Sequence, residues 1–118
     1  SYDYALAYAK ERRSVGKPIA QHQAVALKLA EMATGLHAAR LVVWDAARAC
    51  ETDPMRAGMF AAPAAKAMAV DVAIRNAELC VQVLGGYGVT TEYEAGRFLN
   101  DAWIGYSCDF TRDILHLG

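Results

Sequence analysis

Gln82, Gly85, Gly86 and Gly88 stand within one seven-residue stretch. Glycines so grouped can let a phosphate or an amide approach the backbone, because no Cβ blocks the way, or they can simply end a helix. Arg97 and Asp101 are four positions apart, the spacing of an exposed helical ion pair worth about a few tenths of a kcal/mol. Arg12 precedes Val15-Gly16-Lys17 as a cation in the last turn of a helix does. No nucleophile triad and no metal-ligand spacing is visible. His22, His37 and His116 are scattered, and Cys50, Cys80 and Cys108 contain no Cys-x-x-Cys pair.

These residues need elements to hold them, and the apolar spacing predicts helices. Tyr2 to Arg13 places Tyr4, Ala5, Tyr8 and Ala9 on one face and is ended by Gly16, Lys17 and Pro18. From about Gln21 to Glu51 a stripe of Val25, Leu29, Met32, Leu36, Val43, Ala47 and Cys50 recurs every three or four residues, and Thr52, Asp53 and Pro54 stop it. A third helix starts somewhere between Met55 and Pro63, because proline suits a first turn and is costly inside. It carries Lys66, Ala69, Val70, Ala73, Ala77, Cys80, Val81 and Leu84 on its helical period until Gly85-Gly86. Thr91 is placed to cap a short helix from Glu92 to about Ala102, and a last one begins near Asp109. The expected fold is all-α: an antiparallel up-and-down four-helix bundle with a short extra C-terminal helix.

The 118 residues, 55% hydrophobic and 21% charged with three prolines, suit one globular domain and exclude a disordered or collagenous chain. Twelve basic against thirteen acidic residues give a net charge of -1, with neither sign gathered in a block, so a nucleic-acid partner has no electrostatic support. The most apolar stretch, Met59 to Ile74, is interrupted by Lys66 and Asp71 and falls short of the ~18 unbroken apolar residues of a membrane span. Three unpaired cysteines point to a reducing compartment, cytoplasmic or, in a eukaryote, the mitochondrial matrix. The chain opens on Ser1 without a signal segment and reads as a piece of a longer protein.

Taken jointly, the fragments resemble the C-terminal helical domain of acyl-CoA dehydrogenases. The family pattern Q-x-x-G-G/S-x-G-apolar-x-x-acid-x4-K/R-x3-acid is met without a gap by Gln82, Gly85, Gly86, Gly88, Val89, Glu92, Arg97 and Asp101. Upstream, Tyr8-Ala-Lys-Glu-Arg12-Arg-Ser-Val-Gly16-Lys17-Pro18 looks like the family's Y-A-x-x-R-x-x-F-G-K-P element, and His22-Gln23 falls where the family often has His-Gln or a single Gln. The resemblance implies that residues 1–118 are the C-terminal bundle of a larger flavoenzyme whose N-terminal helical and β-domains lie elsewhere.

It further implies that Arg12, Gln23, Gln82 and the Gly85-Gly86 turn bind the FAD of a neighbouring subunit, the arginine at the pyrophosphate. A diphosphate suits a guanidinium fork and backbone N–H groups. The family's catalytic stretch, typically R-D-A-R-I-x-x-I-Y-E-G-T, is matched by Asn100 through Thr111. Asp109 thereby takes the place of the catalytic glutamate, which removes the proton α to the thioester carbonyl while the β-hydrogen leaves as hydride to the flavin. Thr111 takes the place of a threonine that contacts the flavin. Phe110 replaces the glycine beside the acyl thioester and narrows or reshapes the substrate pocket.

The departures are Asp109 for glutamate, Cys108 for tyrosine, Phe110 for glycine, and Asn100 and Trp103 for the two arginines. They leave open a nitroalkane-oxidase-like or monooxygenase-like reaction on the same fold, and a non-catalytic partner subunit. Asp109 itself is open to a second reading, as the N-cap of the last helix. The partners implied are an acyl-CoA substrate, an electron-transfer flavoprotein or similar acceptor, and further copies in a dimer of dimers, or a hetero-oligomer. No metal is implied.

Overall fold

The computed structural model describes residues 1–116. Helix α1, Tyr2–Glu11, buries Ala5 and Ala9 and half-buries Tyr4 and Tyr8, the face its spacing predicts. It stops two residues early. Arg13–Ser14 (β1) pairs antiparallel with Lys17–Pro18 (β2) across a two-residue loop in which Val15 has φ 50° and Gly16 φ 79°. Two consecutive positive φ values define the tight hairpin turn whose twist matches that of its strands.

Helix α2 spans Gln23–Thr52. Its buried residues are Leu29, Met32, Ala39, Ala46 and Ala49, whereas Val43, Ala47 and Cys50 are exposed. The expected stripe is therefore correct to about Leu36 and wrong beyond it. The helix has two apolar flanks there: small alanines turn inward, and the larger Leu41, Val43 and Trp44 face outward. Size, not hydrophobicity, separates the two, since only alanine lets the neighbouring helix approach this closely.

The third helix begins immediately after the second. Asp53 accepts the Arg56 N–H at 3.1 Å and caps α3, Pro54–Arg56. A π-turn at Ala57–Ala61, in which the Ala62 N–H donates to the Ala57 carbonyl, then leads into α4, Ala62–Leu84. Pro63 lacks an N–H to give Met59, and the widened turn just before it accommodates that loss. By length and composition the run Pro54–Val89 is apolar enough to cross a membrane despite Lys66 and Asp71, although only 28% of its richest window is buried. In this fold it is the central element, touching α1, α2, and the two helices that follow.

Helix α5 covers Ala95–Ser107 and α6 Arg112–Leu115. Both differ from expectation. Thr91 lies ahead of α5, whose N-cap position is Glu94, and α6 starts three residues after Asp109 with Thr111 at its N-cap. Asp109 is thus not a helix cap. The four long helices and short α6 form the expected bundle, 56 by 24 by 19 Å. One core joins Ala5, Ala9, Leu29, Met32, Leu79, Cys80, Val83, Leu84 and Ala95, and an alanine cluster of Ala46, Ala49, Ala57, Ala61 and Ala65 closes the other end. Asn76, a buried polar residue, donates its Nδ2 to the Met32 carbonyl at 3.1 Å and locks α4 to α2.

Candidate functional site

The predicted residues fall into two groups on α4. At its C-terminal end, Tyr8, Arg12, Ser14, Gly85, Gly86 and Tyr87 line an open groove of about 420 Å³. Arg12 ends α1 with its guanidinium carbon 5.6 Å above the Tyr87 ring, a cation held by an aromatic face. Tyr87 in turn lies 5.1 Å from Tyr93, which meets Tyr8 edge-on at 6.1 Å. Burial raises the Tyr8 hydroxyl above the ordinary phenol pKa, against the opposing pull of Arg12.

The three glycines are there for different reasons. Gly85 has φ 62° and ψ -134°, a conformation reserved to glycine. A Cβ on Gly88 would come 2.5 Å from the Val81 carbonyl oxygen, so the turn packs directly on α4. Gly86 needs neither: its φ is not in the left-handed range, and a Cβ there would meet nothing within 4 Å. The chain itself gives no reason for glycine at 86. The open backbone there and the Arg12 guanidinium line the same groove, a pairing of donors whose chemistry suits a diphosphate.

Gln82 and Gln23 are not among the groove's lining residues. The Gln82 carboxamide oxygen accepts from Lys28 Nζ at 2.9 Å, which links α4 to α2. Gln23 opens α2, exposed, one residue after His22, whose Nε2 meets the Ser14 carbonyl at 3.0 Å and ties the hairpin to that helix. Arg97 forms the expected pair with Asp101 at 3.4 Å and a closer one with Glu94.

The second group surrounds Asp109. This residue is exposed, with φ 61°, a left-handed conformation that aspartate tolerates better than most side chains. Lys66, half-buried on α4, donates to the carbonyls of both neighbours, Cys108 and Phe110, the latter at 3.0 Å. Five residues further along α4, Asp71 receives Arg112 in a two-pronged pair at 2.6 and 2.7 Å. Tyr106 donates to Asp113 at 3.2 Å, and that bond raises the phenol's pKa. Phe110 is 62% exposed, and Thr111 is half-buried at the head of α6 without a side-chain cap bond.

Sequence reasoning placed Lys66 and Asp71 only as charges that interrupt an apolar helical stretch, and it passed over Arg112. A lysine in register with a buried stripe was the available signal, because such a residue needs a polar partner. Sixteen residues of helix separate Lys66 from Gln82, about 24 Å. The two groups are therefore opposite ends of one rod. Among the described residues no three His, Cys, Asp or Glu side chains converge as a metal site would require.

This architecture and this distribution of residues have close counterparts. Residues 1–113 match the family model described as "Acyl-CoA dehydrogenase, C-terminal domain". A probable acyl-CoA dehydrogenase from Mycobacterium tuberculosis is 42% identical over 102 residues, 86% of this chain and 26% of that protein. The benzylmalonyl-CoA dehydrogenase of Aromatoleum aromaticum is 41% identical over 113 residues, 96% of this chain and 29% of its own. The solved butyryl-CoA dehydrogenase of Megasphaera elsdenii superposes with a TM-score of 0.91 at 34% identity, covering 98% of this chain and 30% of that one. The chain belongs to the acyl-CoA dehydrogenase family, and it spans under a third of the length of these relatives.

Proposed function

We propose that residues 1–118 are the C-terminal domain of an FAD-dependent acyl-CoA dehydrogenase in which Asp109 is the base that removes the proton α to the thioester carbonyl. The observation that carries this reading is the Asp109 turn: an exposed carboxylate on a left-handed backbone, with both flanking carbonyls bonded to α4. A catalytic base must be held within hydrogen-bond reach of the proton it takes, and a turn fixed on both sides can do that.

At the other end of α4, Arg12 and the Gly85-Gly86 turn would hold the FAD pyrophosphate, and Gln82 and Gln23, outside that groove, would meet FAD elsewhere along its length. Bound FAD supplies the acceptor for the hydride that leaves the β-carbon. The separation of about 24 Å between the groups, set by 16 residues of helix, supports assigning the Arg12 end to the cofactor of a neighbouring subunit in a dimer of dimers. Exposed Leu41, Trp44, Met59 and Phe60 are the kind of surface that other domains or copies cover. Phe110 would lie against the acyl group, and Thr111 would contact the flavin. An electron-transfer flavoprotein or similar carrier must then take up the two electrons. Exposed thiols at Cys50 and Cys108 support a reducing compartment, cytoplasmic or mitochondrial matrix.

The test is anaerobic flavin reduction in the full-length protein. Short, long and ring-bearing acyl-CoA esters and a nitroalkane series are each mixed with it. Bleaching by acyl-CoA is the expected result. Bleaching by nitroalkanes alone would assign the protein to the oxidase chemistry, and bound FAD reduced by neither would make it a partner subunit.

A further inference from the structure

The turn that carries Asp109 does not hold itself. Between α5 and α6 the chain passes through Cys108, Asp109 and Phe110, all exposed, and Asp109 stands at φ 61°. A non-glycine residue in that region persists when its surroundings fix it there. The fixing group is one ammonium. Lys66 Nζ donates to the carbonyls of the residues on either side of Asp109, Cys108 and Phe110, spending two of its three donors on the backbone that enters and leaves the turn. A second anchor lies further along the same helix, where Asp71 grips Arg112 with both carboxylate oxygens.

From this geometry we infer that Lys66 is a positioning residue for the Asp109 carboxylate, with the Asp71–Arg112 pair as a second, weaker anchor. The inference rests on the proposed role of Asp109 as base. Lys66 touches no reacting atom in this account. Its ammonium converts a flexible connection into a fixed bearing for the aspartate. A neutral side chain of similar length keeps the packing and loses both bonds. Arginine keeps donors that can bridge two carbonyls, with a different geometry.

The experiment uses the full-length flavoprotein with Lys66→Met, Lys66→Arg, Asp109→Asn and the Lys66→Met/Asp109→Asn double variant. Two quantities are read: flavin reduction under saturating acyl-CoA, and hydrogen exchange of the amides from 105 to 108, the last hydrogen-bonded turn before Asp109. Lys66→Met is expected to slow reduction by roughly tenfold to a hundredfold, the scale on which misplacement of about 1 Å acts, with FAD content unchanged. Lys66→Arg recovers part of that loss. In the double variant Lys66→Met adds no further slowing, because a residue acting through Asp109 has nothing left to position. Exchange in that last turn of α5 rises at least tenfold in Lys66→Met, once its final carbonyl is released, and stays near wild type in Lys66→Arg.

Unchanged exchange in Lys66→Met would overturn the inference, as would wild-type reduction or further slowing in the double variant. A wild-type protein that no acyl-CoA reduces would instead sink the reading of Asp109 as base, and the exchange measurement would still decide whether Lys66 holds the turn.

Discussion

Gly88 lies directly over Val81, so close that a Cβ at position 88 would sit 2.5 Å from the Val81 carbonyl oxygen and 2.9 Å from its Cα. Backbone on backbone cannot yield as a side-chain tip can. Gly88→Ala should therefore destabilise the bundle by about 1–3 kcal/mol, the usual cost of overpacking, seen as a lower urea midpoint. Gly86→Ala adds its methyl to open space and should leave stability within about 0.5 kcal/mol. In the full-length protein it should lower the FAD-to-protein absorbance ratio. Full FAD retention in Gly86→Ala would refute the cofactor cradle.

Asp109→Asn removes the proton acceptor at nearly constant size and leaves Arg12, Gly85 and Gly86 untouched. Flavin content should persist while anaerobic reduction slows by roughly 10²-fold or more, the usual worth of a general base. Asp109→Glu should be milder than Asn, since it restores a carboxylate at the reach the family commonly uses. Near-normal reduction in Asp109→Asn would place the base elsewhere in the protein.

Phe110 is exposed within this chain, so replacing it costs the bundle little. Phe110→Gly should shift substrate preference toward bulkier or longer acyl groups, read as a change in the ratio of kcat/KM between short and long acyl-CoA esters. An unchanged ratio would remove Phe110 from the acyl pocket.

Acid should loosen the contacts of α2 with α3 and α4. Hydrogen bonding from Arg75 lowers the pKa of Glu31, and hydrogen bonding from Arg56 lowers that of Asp45. Each carboxyl binds its proton less readily folded than unfolded, so its stabilising contribution is complete above the ordinary carboxylate pKa and fades as pH falls through the lowered one. Both pairs are solvent-exposed, so the effect is modest and screened by salt. The urea midpoint should fall between pH 6 and pH 3, and the double variant Glu31→Gln/Asp45→Asn should flatten that fall. An equal fall in wild type and variant would assign the acid response to other groups.

The helices were legible wherever one face alone was apolar. The α1 face of Tyr4, Ala5, Tyr8 and Ala9 and the end of α4 at Gly85 follow from spacing and backbone chemistry. Beyond Leu36 the reading failed because α2 is apolar on two flanks, and only packing decides that Ala39 and Ala46 turn inward while Val43 does not. Thr91 and Asp109 looked like caps because their side chains suit that role. The chain instead passes each and starts its helix three or four residues later, at Ala95 and Arg112. Arg12, Gly85 and Gly86 were readable as a group from motif order. The clamp of Lys66 on the Asp109 turn was not, since its partners are backbone carbonyls 42 and 44 positions away, and carbonyls carry no sequence signal.

Helix α4 also sets a gauge. Its 23 residues carry Lys66 and Asp71 near one end and lead into Gly85 at the other. Each residue gained or lost between them would change their spacing by about 1.5 Å and their relative heading by about 100°. One added residue would thus swing the lysine off the α6 side while the glycine turn stayed docked. This stretch cannot accept the insertions and deletions by which protein lengths drift.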